Sequence, residues 1–296
     1  IAIGTNALVG GAAAVIGNIA IGHQSLDATA GNAQTGSIAI GYQALTTLTS
    51  GAGNVAIGYQ AGSGMSTGAR NTAIGHQALT TLGGTAMTGN DNVCVGFNAG
   101  KAIEQSGNAN VLIGSYAGDG QTVGDNMVFI GHLCGTGTVT ADANGTVGIG
   151  YGCMTENISG VGNTAVGYQA LNTVNTGETN TAFGYQALLR EDGGDKNTAV
   201  GYQALENCNN DTGGNTAVGK SAGDLITSGY NNTVIGSGAE VSANSAQNQS
   251  VIGEGATGQA NNSVTLGNAS VTAVYMAQDK GATVYCASAA IATAGA

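Results

Sequence analysis

Proline and tryptophan are absent from this chain of 296 residues, charged side chains make up 8% of it, and aromatic ones 4%. Each shortage excludes something. Disordered segments are characteristically rich in Pro and charge, whereas 42% of this chain is hydrophobic, so disorder is not expected. A chain without Pro keeps every backbone N–H available, which suits an array of hydrogen-bonded strands, because Pro cannot donate to a ladder. Net charge is −11 and no basic cluster occurs. Nucleic-acid binding needs a Lys/Arg footprint, so it is excluded as an expectation. No stretch has the roughly 18 consecutive apolar residues of a membrane-spanning helix, so no membrane insertion is expected. The cysteines are Cys94, Cys134, Cys153, Cys208 and Cys286, without CxxC spacing, and a zinc site is not expected. A charged leader is missing and the sequence begins inside its own pattern, at Ile1-Ala2-Ile3-Gly4 without Met. The expectation is a piece of a longer protein.

What the sequence has in abundance is glycine, 53 residues, and a repeat. Asn163 to Leu171 reads Asn-Thr-Ala-Val-Gly-Tyr-Gln-Ala-Leu and returns almost unchanged at Asn180 to Leu188 and Asn197 to Leu205. Its central Gly recurs from Gly4, Gly22, Gly41 and Gly58 to Gly253 and Gly267, at steps mostly of 17 or 18, with one of 21 and a last of 14. A fixed period of this size means one small unit stacked many times. The prediction is an all-β parallel β-solenoid of about 16 turns over residues 1–267, a rod on the order of 75 Å long at about 4.8 Å per turn. Residues 268–296 break the pattern and are expected to cap the stack or lead into a following domain, since an open end is an exposed edge.

Each position of the unit has a physical task. The residue before the Gly is apolar at every turn, as at Ile74, Val166 and Val200, and the residue two earlier is Ile, Val or Thr at nearly every turn. Branched side chains suit strands and alternate residues share a face. These columns predict a continuous apolar stripe, expected to be the sealed core. Small residues two before the Gly and three after it, such as Ala165 and Ala170, predict a second layer of backbone close by, either the far wall of the same turn or another copy of the chain. A turn of about 17 residues leaves room for two short strands and a thin interior, and small cores are marginal. Pairing with other copies is therefore expected, across the Ala/Gly wall.

Cys94 stands in the first small column, and Cys134 and Cys153 stand in the second on neighbouring turns. Their Cα atoms should lie about 4.8 Å apart, within reach of a disulfide. The simpler expectation is thiols filling an Ala column. Asn54, Asn71, Asn163, Asn180 and Asn197 open their units, and Gln43, Gln60, Gln169 and Gln186 follow the Gly. Both sets predict amide ladders along the axis. Tyr42, Tyr59, Tyr151, Tyr168, Tyr185 and Tyr202 form a column in which His23, His76 and His132 are variants. By strand parity this column shares the Val/Ile face, which favours packing over a carbohydrate-stacking stripe.

Charge collects between the units, where the runs vary in length, as at Thr80 to Asn92 and Arg190 to Lys196. This edge is expected to be solvated. Calcium takes about six to eight oxygens, and Glu191, Asp192 and Asp195 are the metal candidates. Arg190, Glu191, Asp192 and Lys196 are the receptor-binding candidates, and no cofactor is implied. Paired-carboxylate catalysis needs a fixed separation in a groove; Glu178, Glu191, Asp192, Asp195, Glu206 and Asp211 lie on successive turns and could bring carboxylates together, but a solvated acidic edge is the simpler expectation. The hexapeptide helix of acyltransferases would need matching hexads where Asn172 and Glu178 fail. In an ice-binding rank Thr164, Thr181 and Thr198 would need a second Thr where Val or Phe stands. The expectation is a protein that is not an enzyme, with a solenoid enzyme acting on surface polysaccharide as a remote alternative.

The Asn-Thr-Ala-Val-Gly-Tyr-Gln-Ala unit resembles the head repeat of trimeric autotransporter adhesins and, more closely, the repeats of phage tail-fibre proteins. In the latter, a segment similar to Asn262 to Asn268 leading to Val274 to Asp279 often precedes a self-cleaving chaperone domain. The resemblance spans about residues 1–285. It implies a left-handed parallel β-roll, three chains side by side in a homotrimer, and host attachment by a virion tail fibre outside the cell. Partners implied are a host cell-surface glycan or protein receptor and other fibre or tail proteins. The alternative is the head of an adhesin on a bacterial cell surface. Turns here are longer than the adhesin head's usual 14, and only the step from Gly253 to Gly267 matches it.

Overall fold

The computed structural model describes residues 1–9, 15–28, 34–81, 86–101, 107–120, 124–137, 144–156, 159–209 and 211–274. It is an all-β parallel solenoid whose main sheet holds 16 strands in sequence order. The end strands, Ala2–Ile3 and Val264–Leu266, have one neighbour each, and about 14 turns lie closed between them. Strands are three residues long through most of the stack, as at Thr164–Val166, which pairs in register with Thr181–Phe183 and Val147–Ile149. Like therefore sits upon like at every step.

The Gly ends each strand for a steric reason. Gly167 has φ of +140°, and a Cβ there would stand 2.2 Å from the carbonyl oxygen of Gly184 in the next turn. No side chain fits so close an approach of backbone to backbone. Beyond it the chain visits the left-handed region at residues that are not glycine, Gln169 at +51° and Leu171 at +48°. Such residues cost on the order of 1–3 kcal/mol each unless the surroundings hold them. Here bonds between turns hold them, Gln169 N–H to Tyr151 O at 2.9 Å and Leu171 N–H to Ala187 O at 3.0 Å. The wall opposite the sheet is thus mostly a stack of turns, where two strands per turn were expected.

The interior is the reverse of the expected one. Ala165, Ala182 and Ala199 from the strands are fully buried, facing Ala170, Leu171 and their counterparts from the turns. Ile74 and Val200 instead keep 36% of their surface exposed, Phe183 keeps 57%, and Val166 is half-buried. They remain stacked on their counterparts, as Ile74 is on Ile57, but they point outward. The reason is alternation in a thin cross-section: the middle residue of each strand points inward, Ala in most turns and Leu112, Phe129, Val234 or Val251 in others, and its two neighbours point outward. The small columns face each other within one chain, and the Ala wall needs no second copy to cover it.

Phe129 is the largest interior side chain, and its neighbours make room. In the next turn Gly148 takes the Ala position, and a Cβ there would come within 2.9 Å of both Phe129 Cδ1 and Cys134 Sγ. Cys94, Cys134, Cys153 and Cys208 are buried, and none of the four is in a disulfide. Cys94 is pushed up by burial, and Cys134 by its hydrogen bond with Cys153 and then by burial. Asn54, Asn71, Asn163, Asn180 and Asn197 are buried and form the predicted ladder: Asn180 Nδ2 donates to Gly194 O at 2.7 Å, and its Oδ1 accepts from Asn197 N–H at 2.8 Å. The glutamine ladder also forms, with Gln186 Nε2 donating to Gln169 Oε1 at 3.0 Å. Half-buried Asn268 and exposed residues 269–274 follow the last strand. Residues 275–296, with Cys286 and most of the expected cap, lie outside the described residues, as do residues 82–85 of the Thr80–Asn92 run.

Candidate functional site

Two surfaces of the rod carry chemistry. The first is the outer face of the sheet. Its two columns of Ile, Val and Thr stay half-exposed from turn to turn, and the aromatic column stands beside them with Tyr42, Tyr59, Tyr168, Tyr185 and Tyr202 between 41% and 46% exposed. These rings stack on one another. Tyr151, Tyr168, Tyr185 and Tyr202 lie 5.0–5.1 Å apart by centroid and within 8° of parallel. His23 and His76 join the same ladder, as column variants should. The stack turns edge-on where Ser115 holds the column position and Tyr116 fills in from the next residue, with His132 following. A sugar stacks on the face of a ring, and in the parallel stretches those faces cover each other. The ladder offers ring edges and phenol hydroxyls, which suits packing against another surface better than carbohydrate stacking.

The second surface is the loop edge. Here the structure separates the residues that the sequence grouped together. Glu191 does not lie on a solvated rim: it is 0% exposed, in an interior column with Val174, Cys208 and Ile226. Its carboxylate is satisfied there, Oε1 accepting from Gly194 N–H at 2.7 Å and Oε2 from Asn197 Nδ2 at 3.0 Å. The spacing of 17 from Val174 to Glu191 to Cys208 was the available signal. Asp192 is exposed, and its carbonyl accepts the N–H groups of Asn175, Thr176 and Gly177. Asp195 uses Oδ1 to accept from Glu178 N–H at 2.8 Å. Lys196 is exposed. Among the described residues no three His, Cys, Asp or Glu side chains gather as a metal site, and no helix is long and apolar enough to cross a membrane.

Arg190 is brought to a groove that the sequence did not reveal. The groove has a volume of about 570 Å³ and crosses successive turns, running from Arg190 past Asn207 and Asn209 to Asp224, Leu225 and Asn244. Interturn bonds build its walls: Asn209 N–H donates to Thr227 O at 2.9 Å, Asn207 Nδ2 to Asp224 O at 3.0 Å, and Asn244 O accepts from Thr227, Ser228 and Gly229. Glu240 tethers one wall, accepting from Asp224 N–H at 3.1 Å and Leu225 N–H at 3.2 Å. Burial first, and then the Asp224 carboxyl beside it, pushes Glu240 up to about 8. Glu240 therefore keeps its proton near neutrality.

Compared with protein-family models, with curated proteins and with solved structures, the chain matches none.

Proposed function

We propose that the chain is a non-catalytic segment of an attachment fibre, of the kind found in phage tail fibres, and that three copies stand side by side along their outer sheet faces. The observation that carries this reading is the rod-long outer face of half-exposed Ile, Val, Thr and Tyr. Contiguous apolar patches beyond a few hundred Å² are rarely left open on monomeric soluble proteins. Each Ile or Val is already half-covered, so completing its burial adds roughly 1 kcal/mol, which the repeat multiplies along the rod. Three is the number implied by the resemblance to trimeric fibres and adhesin heads. In this arrangement the interfacial wall is the branched and aromatic one, and the loop edges stay outside, free to meet a host receptor.

Sedimentation equilibrium tests the assembly. The expected species has three times the chain mass. Replacing Ile74 and Val200 by Lys, which their own turns tolerate because both already reach solvent, is expected to give monomers with an unchanged circular dichroism spectrum. A wild-type chain that remains monomeric at tens of micromolar overturns the reading.

A further inference from the structure

The loop-edge groove is built like a binding site, and its lining selects a chemical class. Its volume of about 570 Å³ falls in the range of small-ligand sites, roughly 300–1,000 Å³. The Arg190 guanidinium and the side-chain amides of Asn209 and Asn244 line it, and none of the three makes a hydrogen bond or ion pair with a described residue. Asp224 contributes a carboxylate acceptor to the same lining, and Leu225 contributes an apolar side chain 43% exposed. Planar donors and acceptors beside an apolar patch are what a sugar ring needs, since its hydroxyls both donate and accept while its C–H face is apolar.

Other classes fit worse. The Asn209, Thr227 and Ser228 backbone N–H groups are spent on interturn bonds, so a peptide finds no free strand edge there to extend. A polyanion meets Asp224 in the groove and a chain of net charge −11 around it, against the single guanidinium.

We infer that the groove between Arg190 and Asn244 binds a neutral oligosaccharide, with Arg190, Asn209, Asn244 and Asp224 holding its hydroxyls and Leu225 underlying a ring. This site rests on the reading of the loop edge as the attachment surface and names the ligand class that it meets.

The test uses the full chain and saturation-transfer NMR, followed by calorimetric titration. The probes are neutral hexose tetrasaccharides cut from glucan, mannan and galactan, with oligogalacturonate as the acidic counterpart. At least one neutral probe is expected to bind. Arg190→Ala and Asn244→Ala are each expected to weaken that binding about tenfold or more, and Ser228→Trp, placed at the exposed groove wall, to abolish it. Thermal midpoints report whether each variant is folded, and Arg190→Ala carries the test if the Trp variant is not. Failure of every neutral probe, binding of oligogalacturonate alone, or undiminished binding by folded Arg190→Ala and Asn244→Ala overturns the site. Trimers that bind no sugar overturn the site and leave the assembly standing, whereas sugar-binding monomers do the opposite.

Discussion

Asn180 shows how much a single side chain carries in this architecture. Its amide donates across the turn to Gly194 O, and its carbonyl accepts the N–H of Asn197 one turn on, while its own N–H reaches back to Asn163 Oδ1. Every one of these groups is buried. Truncation to Ala therefore leaves a buried donor and a buried acceptor unpaired, at about 1–3 kcal/mol each. Asn180→Ala is expected to lower stability by several kcal/mol in urea or thermal unfolding. Thr181→Ala, its exposed neighbour on the outer face, should stay within about 0.5 kcal/mol of wild type. The ladder was legible because only a stacked amide explains Asn at the same phase in so many turns. Glu191 was not, because a carboxylate standing in the column of Val174 and Cys208 reads as a loop acid unless its phase is given more weight than its charge. Asn180→Ala and Thr181→Ala variants of equal stability would remove the ladder from the list of things that hold the rod together.

An element here is a three-residue strand, a Gly and a turn, and at this scale the sequence showed almost everything except which way it faced. Period, parallel register and the columns follow from the repeat, but alternation alone divides Thr164, Ala165 and Val166 into two faces without naming the inner one. The rule that branched apolar residues go inside chose wrongly, because the interior takes only the middle residue of each strand, Ala in most turns and Val at Val234 and Val251, and leaves the two flanking columns outside. A sharper signal lay in Val128-Phe129-Ile130 followed by Val147-Gly148-Ile149. The middle residue swells in one turn and shrinks in the next, as interior neighbours must at close packing. That compensation is measurable. Gly148→Ala presses a methyl group toward Phe129 and Cys134 and is expected to cost about 1–3 kcal/mol, and Phe129→Ala about 3–5 kcal/mol. Together they should cost less than their sum, with a coupling of about 0.5–3 kcal/mol between residues in contact. Strict additivity in a double-mutant cycle would mean that the two side chains do not share one cavity.

For the whole molecule, stacking makes length a free variable, since each turn bonds only to the turns beside it and stability is close to a sum over neighbours. The junctions make this concrete. Gly162 and Thr179 occupy the same place in successive turns, joined by Thr179 N–H to Val161 O at 2.9 Å, with φ of +66° and +56°. Excising residues 163–179 joins Gly162 to Asn180 and so hands one left-handed junction residue the role of the other. Asn180 then lies on the turn of Thr146, as Asn163 did, and Thr181 to Phe183 pairs with Val147 to Ile149 in the register that Thr164 to Val166 held. The shortened chain is expected to fold with an unchanged circular dichroism spectrum and a thermal midpoint within a few degrees of wild type. In small-angle scattering it should be shorter by one turn, about 4.8 Å. Excising residues 166–173 is the opposing case. It joins Ala165 to Val174 and removes Gly167 and the turn run after it, so one unit can no longer close and its neighbours on both sides lose their partners. That variant should fold poorly or unfold well below wild type. Were the two deletions equally tolerated, the stack would not depend on its period, and the outer face would have no reason to run unbroken from one end to the other.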